Sequence, residues 1–252
     1  MMLDSDIELL EGMPIAYIRS MRALAVADMH LGYEGVMAKG GTLIPKVNFR
    51  KVTEMLSKAL AKTGARSIIV DGDIKNEFST VDIEEFNELY DLIQFAKSKE
   101  VHLVLIKGNH DNFVERYKEP FKLEIYRQEA VLDGYLFFHG EELPSNVPAR
   151  AKLLIMGHEH PAIAVYSAIG RKEKLRCFLY GTYKGRRLLV LPAINYFASG
   201  TEINLRDKGE LLSPVFRHMD VDSMHAIAIG YGSTIDFGTI GQLREAAYAP
   251  GH

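Results

Sequence analysis

An α/β fold, with a mixed sheet or two sheets stacked face to face between helices, is what this chain of 252 residues predicts. Three observations carry that expectation. The first hundred residues alternate short apolar runs with helix-period segments, which favours parallel strands joined by crossovers. Beyond residue 120, strand-like runs follow one another with turn residues between them and no long helical pattern. Apolar strands also run repeatedly into Asp, Asn, His and Gly at their C-terminal ends, the edge at which open α/β sheets bind ligands.

Taken in order, residues 15–18 and 23–27 read as two short strands of a hairpin, and residues 37–45, with Gly40-Gly41, as a loop. Val52, Leu56 and Leu60 recur every four residues, and Gly64 stands where a helix C-terminus favours glycine. Residues 67–70 form a short buried strand. Ser79 or Thr80 caps a second helix, whose apolar face is Ile83, Phe86, Tyr90 and Ile93. Residues 101–106 give a further strand. Strands are then expected over 122–126, 130–132, 135–138, 153–156, 162–166, 174–181, 186–191 and 225–229, with a short helix over 240–247. No repeat or linker interrupts the chain, so residues 1–252 are expected to form a single domain.

The formal net charge of −3 excludes a protein whose whole surface is a basic glove for nucleic acid, and leaves room for a local basic patch. A single cysteine, Cys177, excludes an intramolecular disulfide and a thiolate zinc site. The acidic start lacks a basic-then-apolar targeting signal, and no apolar run reaches the ~18 residues that span a bilayer. A cytoplasmic protein without membrane association is expected.

The chemistry sits at the strand ends. Residues 23–27 lead to Asp28-Met29-His30, 67–70 to Asp71-Gly72-Asp73, and 101–106 to Gly108-Asn109-His110-Asp111. Residues 135–138 lead to His139-Gly140, and 153–156 to Gly157-His158-Glu159-His160. Side chains at i and i+2 of a strand point the same way, so Asp28 with His30, and His158 with His160, are each expected to grip one ion together. Asn109 and His110 are neighbours and diverge, one toward a metal and the other toward substrate. Carboxylate, amide and imidazole ligands without thiolate suit Mn²⁺, Fe²⁺ or Zn²⁺, with Ni²⁺ a further candidate and Mn²⁺ the first choice. Two such ions ~3.5–4 Å apart clamp an in-line displacement at phosphorus. Asp73 is the choice for the bridging carboxylate.

In order, Asp28-x-His30, Gly72-Asp73, Gly108-Asn109-His110-Asp111, His139 and Gly157-His158-x-His160 resemble the five motifs of the calcineurin-like metallophosphoesterases. The resemblance implies a four-layer αββα sandwich of two mixed sheets flanked by helices. It implies that Asp28, His30 and His160 hold one ion, that Asn109, His139 and His158 hold the other, and that Asp73 bridges. It implies His110 as general acid, oriented by Asp111, with Asn109 also stabilising charge on the phosphoryl oxygens. The run Ala27-Asp28-Met29-His30-Leu31-Gly32-Tyr33-Glu34 is similar to the opening motif of the double-strand-break repair nuclease. It is also similar to that of the compact predicted phosphoesterases that include DNA-ligase-associated enzymes; the latter fit better in length, and Lys75-x-x-Phe78 is similar too. Asn76 departs from that group, where a His often follows the Lys.

Other residues have plainer readings. His102, His218 and His225 are taken as structural, Asp71 as a turn cap, and Glu159 as a group facing away from the ligands. Segment 171–187 carries Arg171, Lys172, Lys174, Arg176, Lys184, Arg186 and Arg187 against Glu173 alone. It reads either as a solvated hairpin or as a phosphate-tracking element beside the site, with Phe178, Tyr180 and Tyr183 stacking on bases. Pro45-Lys46-Val47-Asn48 and the Gly40-Gly41 loop either flank the substrate or merely connect. The expected function is hydrolysis of phosphodiesters, with DNA or RNA as substrate. The alternatives are a small-molecule or cyclic-nucleotide phosphodiesterase and, behind it, a non-catalytic scaffold such as the phosphoesterase-like retromer subunit. A protein phosphatase is disfavoured because Ile74-Lys75-Asn76 and Asn112-Phe113 stand where that branch places arginines. A DNA-repair protein partner is implied by family association alone.

Overall fold

The computed structural model describes residues 1–76, 83–167 and 170–248. The expected cap at Ser79 or Thr80, and Phe78 of the Lys75-x-x-Phe78 run, lie outside the described residues.

Six strands form the first sheet, in the order β1 (Ile7–Leu9), β2 (Ala16–Ile18), β3 (Ala23–Val26), β4 (Ser67–Asp71), β5 (His102–Ile106) and β6 (Glu124–Tyr126). β2 and β3 make the expected antiparallel hairpin, and β3, β4, β5 and β6 are mutually parallel. Between β3 and β4 run α1 (Tyr33–Lys39) and α2 (Asn48–Thr63); α3 (Ile83–Ser98) joins β4 to β5. α2 buries Val52, Leu56, Ala59 and Leu60, and ends on Gly64 at φ 63°, whose N–H donates to Leu60 O. Its first turn is capped from outside: the Glu34 carboxylate of α1 accepts the N–H groups of Val47 and Asn48 at 2.9 and 2.7 Å.

Two local expectations change. Residues 37–39 belong to α1, so only the remainder of 37–45 is loop. On α3 the buried line is Glu85, Leu89, Leu92, Ile93 and Ala96, about one residue round from the expected face. Ile83 is 77% exposed, while Phe86 and Tyr90 lie at the rim against Tyr117 and Phe121. The misreading has a physical cause: two aromatics on a helix flank satisfy a helical period without belonging to the core stripe.

The second sheet has the order β13 (Thr201–Glu202), β10 (Pro161–Tyr166), β11 (Lys172–Tyr183), β12 (Arg186–Val190), β9 (Leu153–Met156), β8 (Tyr135–Phe138) and β7 (Glu129–Leu132). β14 (His225–Gly230) also pairs with β11, and β15 (Ser233–Thr239) pairs with β14. Parallel β8, β9 and β12 lie among antiparallel neighbours, so the sheet is mixed.

Three core layers follow from the alternation of side chains along the strands. One packs α2 and α3 on the first sheet through Leu24, Leu56, Ile68, Leu92 and Leu105. The second fills the space between sheets with Ala25, Ile69, Ile106, Phe137, Ile155, Phe178 and Leu189. The third covers the far side of the second sheet, where Leu154, Leu179 and Val190 meet Ile203, Phe216 and Ile240. The layering is therefore helix, sheet, sheet, helix, the αββα sandwich. Its last layer is built from 3₁₀ turns and the short α5 (Ile240–Tyr248). Among the described residues no helix is long and apolar enough to cross a membrane.

Candidate metal centre

Both sheets deliver their strand ends to one place. β3, β4 and β5 supply Asp28, His30, Asp73, Asn109 and His110; β8 and β9 supply His139, His158 and His160. An Ala27–Ala193 bridge pairs the two segments there, reinforced by Ile194 N–H to Ala27 O and Asn195 N–H to Asp28 O.

The side chains assemble in three adjoining groups: Asp28, His30 and His160; His30, Asp73 and His110; Asp73, His139 and His158. Within each group the ligand atoms lie within 4.8 Å of one another. Ions of this class bind N and O at about 2.0–2.2 Å, so that span nearly closes around one ion. His160 Nε2 stands 3.3 Å from Asp28 Oδ1 and from His30 Nε2, and His139 Nε2 stands 3.2 Å from Asp73 Oδ2 and from His158 Nδ1. Asp73 Oδ2 lies between the two ends, 4.0 Å from His30 Nε2.

The local backbone differs from the expectation that produced these residues. Asp28, His30, Asp73, His158 and His160 all lie beyond strand ends, with φ between 46° and 66°. Five non-glycine residues in the left-handed region at one site is strain that the fold must hold in place. It also undoes the i, i+2 argument. His158 and His160 do not share a group: His158 joins Asp73 and His139, and His160 joins Asp28 and His30. Asp28 and His30 do meet, through left-handed turns rather than along a strand.

The donor set fits divalent cations. Asn109 Oδ1 and His30 Nδ1 are buried without a hydrogen-bond partner among the described residues; an oxygen so placed is suited to a cation. Burial opposes charge on Asp73 and Asp28, yet His139 and the other imidazoles outweigh it and hold both carboxyls below their ordinary value. Burial likewise opposes the proton on His139 and His160, and Asp73 and Asp28 outweigh it and raise both. Burial lowers His30 and His158 to about 4, which leaves them neutral near pH 7. A divalent cation would thus take the place of protons that now balance the carboxylates.

Around this centre several roles differ from expectation. The His110 ring is held by Asn76 O, 2.7 Å from Nδ1, which leaves Nε2 facing the centre 3.9 Å from Asp73 Oδ2. Asp111 does not bond that ring directly. Its carboxylate accepts the N–H groups of Lys75 at 3.1 Å and Gly108 at 2.9 Å, stapling the two loops together, and burial raises it to about 7. Asp71 caps no turn: its carboxylate has no partner among the described residues, and its backbone O lies 3.1 Å from His139 Nδ1. Glu159 does face away from the ligands, but into the protein, where it accepts the Ser213 N–H at 2.9 Å. His102 and His225 pair on the surface with Glu124 and Asp236.

Segment 171–187 is the β11–β12 hairpin with Arg171, Lys172, Lys174, Lys184 and Arg187 exposed, as the solvated-hairpin reading expects, and its aromatics do not form a joint stacking surface. Phe178 and Tyr183 are fully buried. Arg176 is turned inward, donating to Ala193 O and Asn195 O; Lys172 pairs with Glu202 and Arg187 with Asp4. β10 runs away from the centre before reaching Lys172, which faces Tyr166 at its far end.

Sequence reasoning missed the residues that brace the centre. Asn48 donates to Met29 O at 3.1 Å and accepts the Tyr196 N–H at 2.8 Å; Asn195 donates to Met29 O and accepts the N–H groups of Phe197 and Ala198. Lys75 and Glu85 form a buried ion pair at 3.2 Å, and Glu85 also accepts the Asn76 N–H, supporting the carbonyl that holds His110. Asparagines in loop sequence carry no signal that separates a brace from a turn.

The model of the calcineurin-like phosphoesterases matches residues 21–167, a span that contains every candidate ligand. No curated protein sequence matches the chain. Among solved structures, nuclease MPE of Pseudomonas putida is similar at 22% identity and TM-score 0.63, over 91% of this chain and 94% of that one. Yfce, a phosphoesterase from E. coli, aligns at 16% identity and TM-score 0.39, over 86% and 98%. With the match covering more than half of its length, the chain belongs to the calcineurin-like phosphoesterase family, whose members are metal-dependent hydrolases of phosphoesters.

Proposed function

We propose that this chain hydrolyses phosphodiesters of nucleic acid with two divalent cations, Mn²⁺ first among them. The observation that carries the reading is the chaining of the three groups through His30 and Asp73, with His110 Nε2 turned toward the Asp73 carboxylate. Asp28, His30 and His160 would hold one cation, Asn109, His139 and His158 the other, and Asp73 would touch both. Such cations supply Lewis acidity to the phosphoryl oxygens and to the attacking water.

The chain's own groups divide the remaining work. Asn76 O holds the Nδ1 side of His110, so a protonated ring presents its Nε2–H to a departing oxygen and can give that proton up as the P–O bond breaks. The loop staple through Asp111 and the Lys75–Glu85 pair keeps the ring in that orientation. A diester of nucleic acid is favoured by an open cleft of 370 Å³ running from His30 and His160 past Asn195 to Thr201, which leaves room for chain on one side of the phosphate. Segment 171–187 adds at most a distal contact with a long strand.

His110→Ala is the test. It should keep its cations and lose about 10²–10⁴-fold in turnover, more with an alkoxide leaving group than with p-nitrophenolate, which departs without a proton. An equal fold-loss on both leaving groups, or full activity, would remove His110 from the role.

A further inference from the structure

The cleft beside the centre has an aromatic wall. Tyr33 and Phe197 stack on one another, with ring centroids 5.7 Å apart and planes 17° from parallel, and both line the cleft next to His30 and His160. Neither ring belongs to any of the three core layers. The backbone that carries each ring is anchored. Tyr33 N–H donates to His30 O at 3.2 Å, and Phe197 N–H donates to Asn195 Oδ1 at 2.8 Å. Tyr196, 48% exposed, packs edge-on against Phe197 at 5.3 Å, with Lys51 Nζ 5.9 Å from the Tyr196 ring. Apart from the two imidazoles, the described residues lining the cleft are uncharged.

From this arrangement we infer that Tyr33 and Phe197 form a nucleobase-stacking subsite that holds the base next to the scissile phosphate. The inference rests on the phosphodiesterase reading and names the side of the substrate that the cleft receives. Held rings in a polar cleft meet a flat heterocycle without ordering cost, and every base offers a π-face, so the subsite reads nucleoside rather than sequence. Among the described residues, no lysine or arginine lines this cleft to hold a sugar-phosphate backbone that lacks a base.

The test compares two p-nitrophenyl diesters on Mn²⁺-loaded protein: thymidine 5′-(p-nitrophenyl phosphate), which carries a base, and methyl p-nitrophenyl phosphate, which does not. Wild type should favour the thymidine ester in kcat/KM. Phe197→Leu and Tyr33→Leu, which keep apolar bulk, should cut that preference about 5- to 100-fold, mainly through KM, and Phe197→Tyr should retain it. A general folding or metal defect lowers both esters and leaves their ratio. No preference in wild type, or a ratio that survives both leucines, overturns the inference. Silence on both esters in wild type strikes the phosphodiesterase reading instead. The subsite is then judged by calorimetric binding of thymidine 5′-monophosphate: binding weakened by Phe197→Leu sustains it, and equal or absent binding overturns it.

Discussion

Gly72→Ala should disable the centre without replacing a ligand. Gly72 adopts φ 83°, where an L residue costs about 1–2 kcal/mol. An added Cβ would lie 1.9 Å from His139 Nδ1 and 2.3 Å from its Cγ. Restoring an ordinary contact of about 3.4 Å moves the ring by about 1.5 Å, yet His139 is wholly buried with Nδ1 against Asp71 O. Overpacking of this kind costs a further ~1–3 kcal/mol, so ~2–5 kcal/mol of stability should go. The displaced Nε2 leaves Asp73 and His158, and a misplacement of this size costs on the order of 10²-fold or more in rate. Chemical denaturation, metal content by mass spectrometry and diester turnover read the three consequences. A variant with wild-type midpoint, both cations and full turnover would refute the packing argument.

Other consequences follow from the braces and from the charge beside α1. Asn48→Ala leaves the Tyr196 N–H without its acceptor and Met29 O with Asn195 alone, and should lower stability by ~1–3 kcal/mol; it should also raise KM as the 195–200 loop loosens, and an unchanged melting temperature would contradict this. Burial raises the Glu88 carboxyl from 4.5 to about 7, with Glu34 and Glu84 adding to the shift and the Gly32 N–H opposing it. The folded state therefore holds that proton more tightly than the unfolded chain. The ionised form costs stability, in full above about pH 7 and not at all below 4.5. Glu88→Gln should gain about 1–2 kcal/mol at pH 8, after allowance for solvent screening, and the gain should fade as pH drops toward 4.5; a gain independent of pH would contradict the sign.

Much of this architecture is legible in the sequence because burial and covalent spacing act locally. β4 and β5 are apolar runs with buried residues on both faces, and α2 shows its stripe and its terminal glycine. The ligand types are legible because strand ends are followed by Asp, Asn and His in order. The division of His158 from His160 follows from the motif resemblance but not from strand alternation, since it depends on left-handed backbone. The partner of the His110 ring is a backbone carbonyl, Asn76 O, which any residue type would supply. The charges of 171–187 form one cluster in sequence, but the sheet sends them to different neighbours: Arg176 inward, Arg187 to Asp4 and Lys172 to Glu202. Phe178 and Tyr183 were offered to bases by composition and claimed by the core through strand alternation.

Titration of Mn²⁺ into metal-stripped protein, with hydrolysis of bis-p-nitrophenyl phosphate followed in the same samples, tests the central claim most directly. The account predicts two cations per chain, turnover that rises as the second is bound, and loss of both the paired binding and the turnover in Asp73→Ala. Binding of one cation or none in wild type, or hydrolysis that persists without metal or in Asp73→Ala, would contradict it.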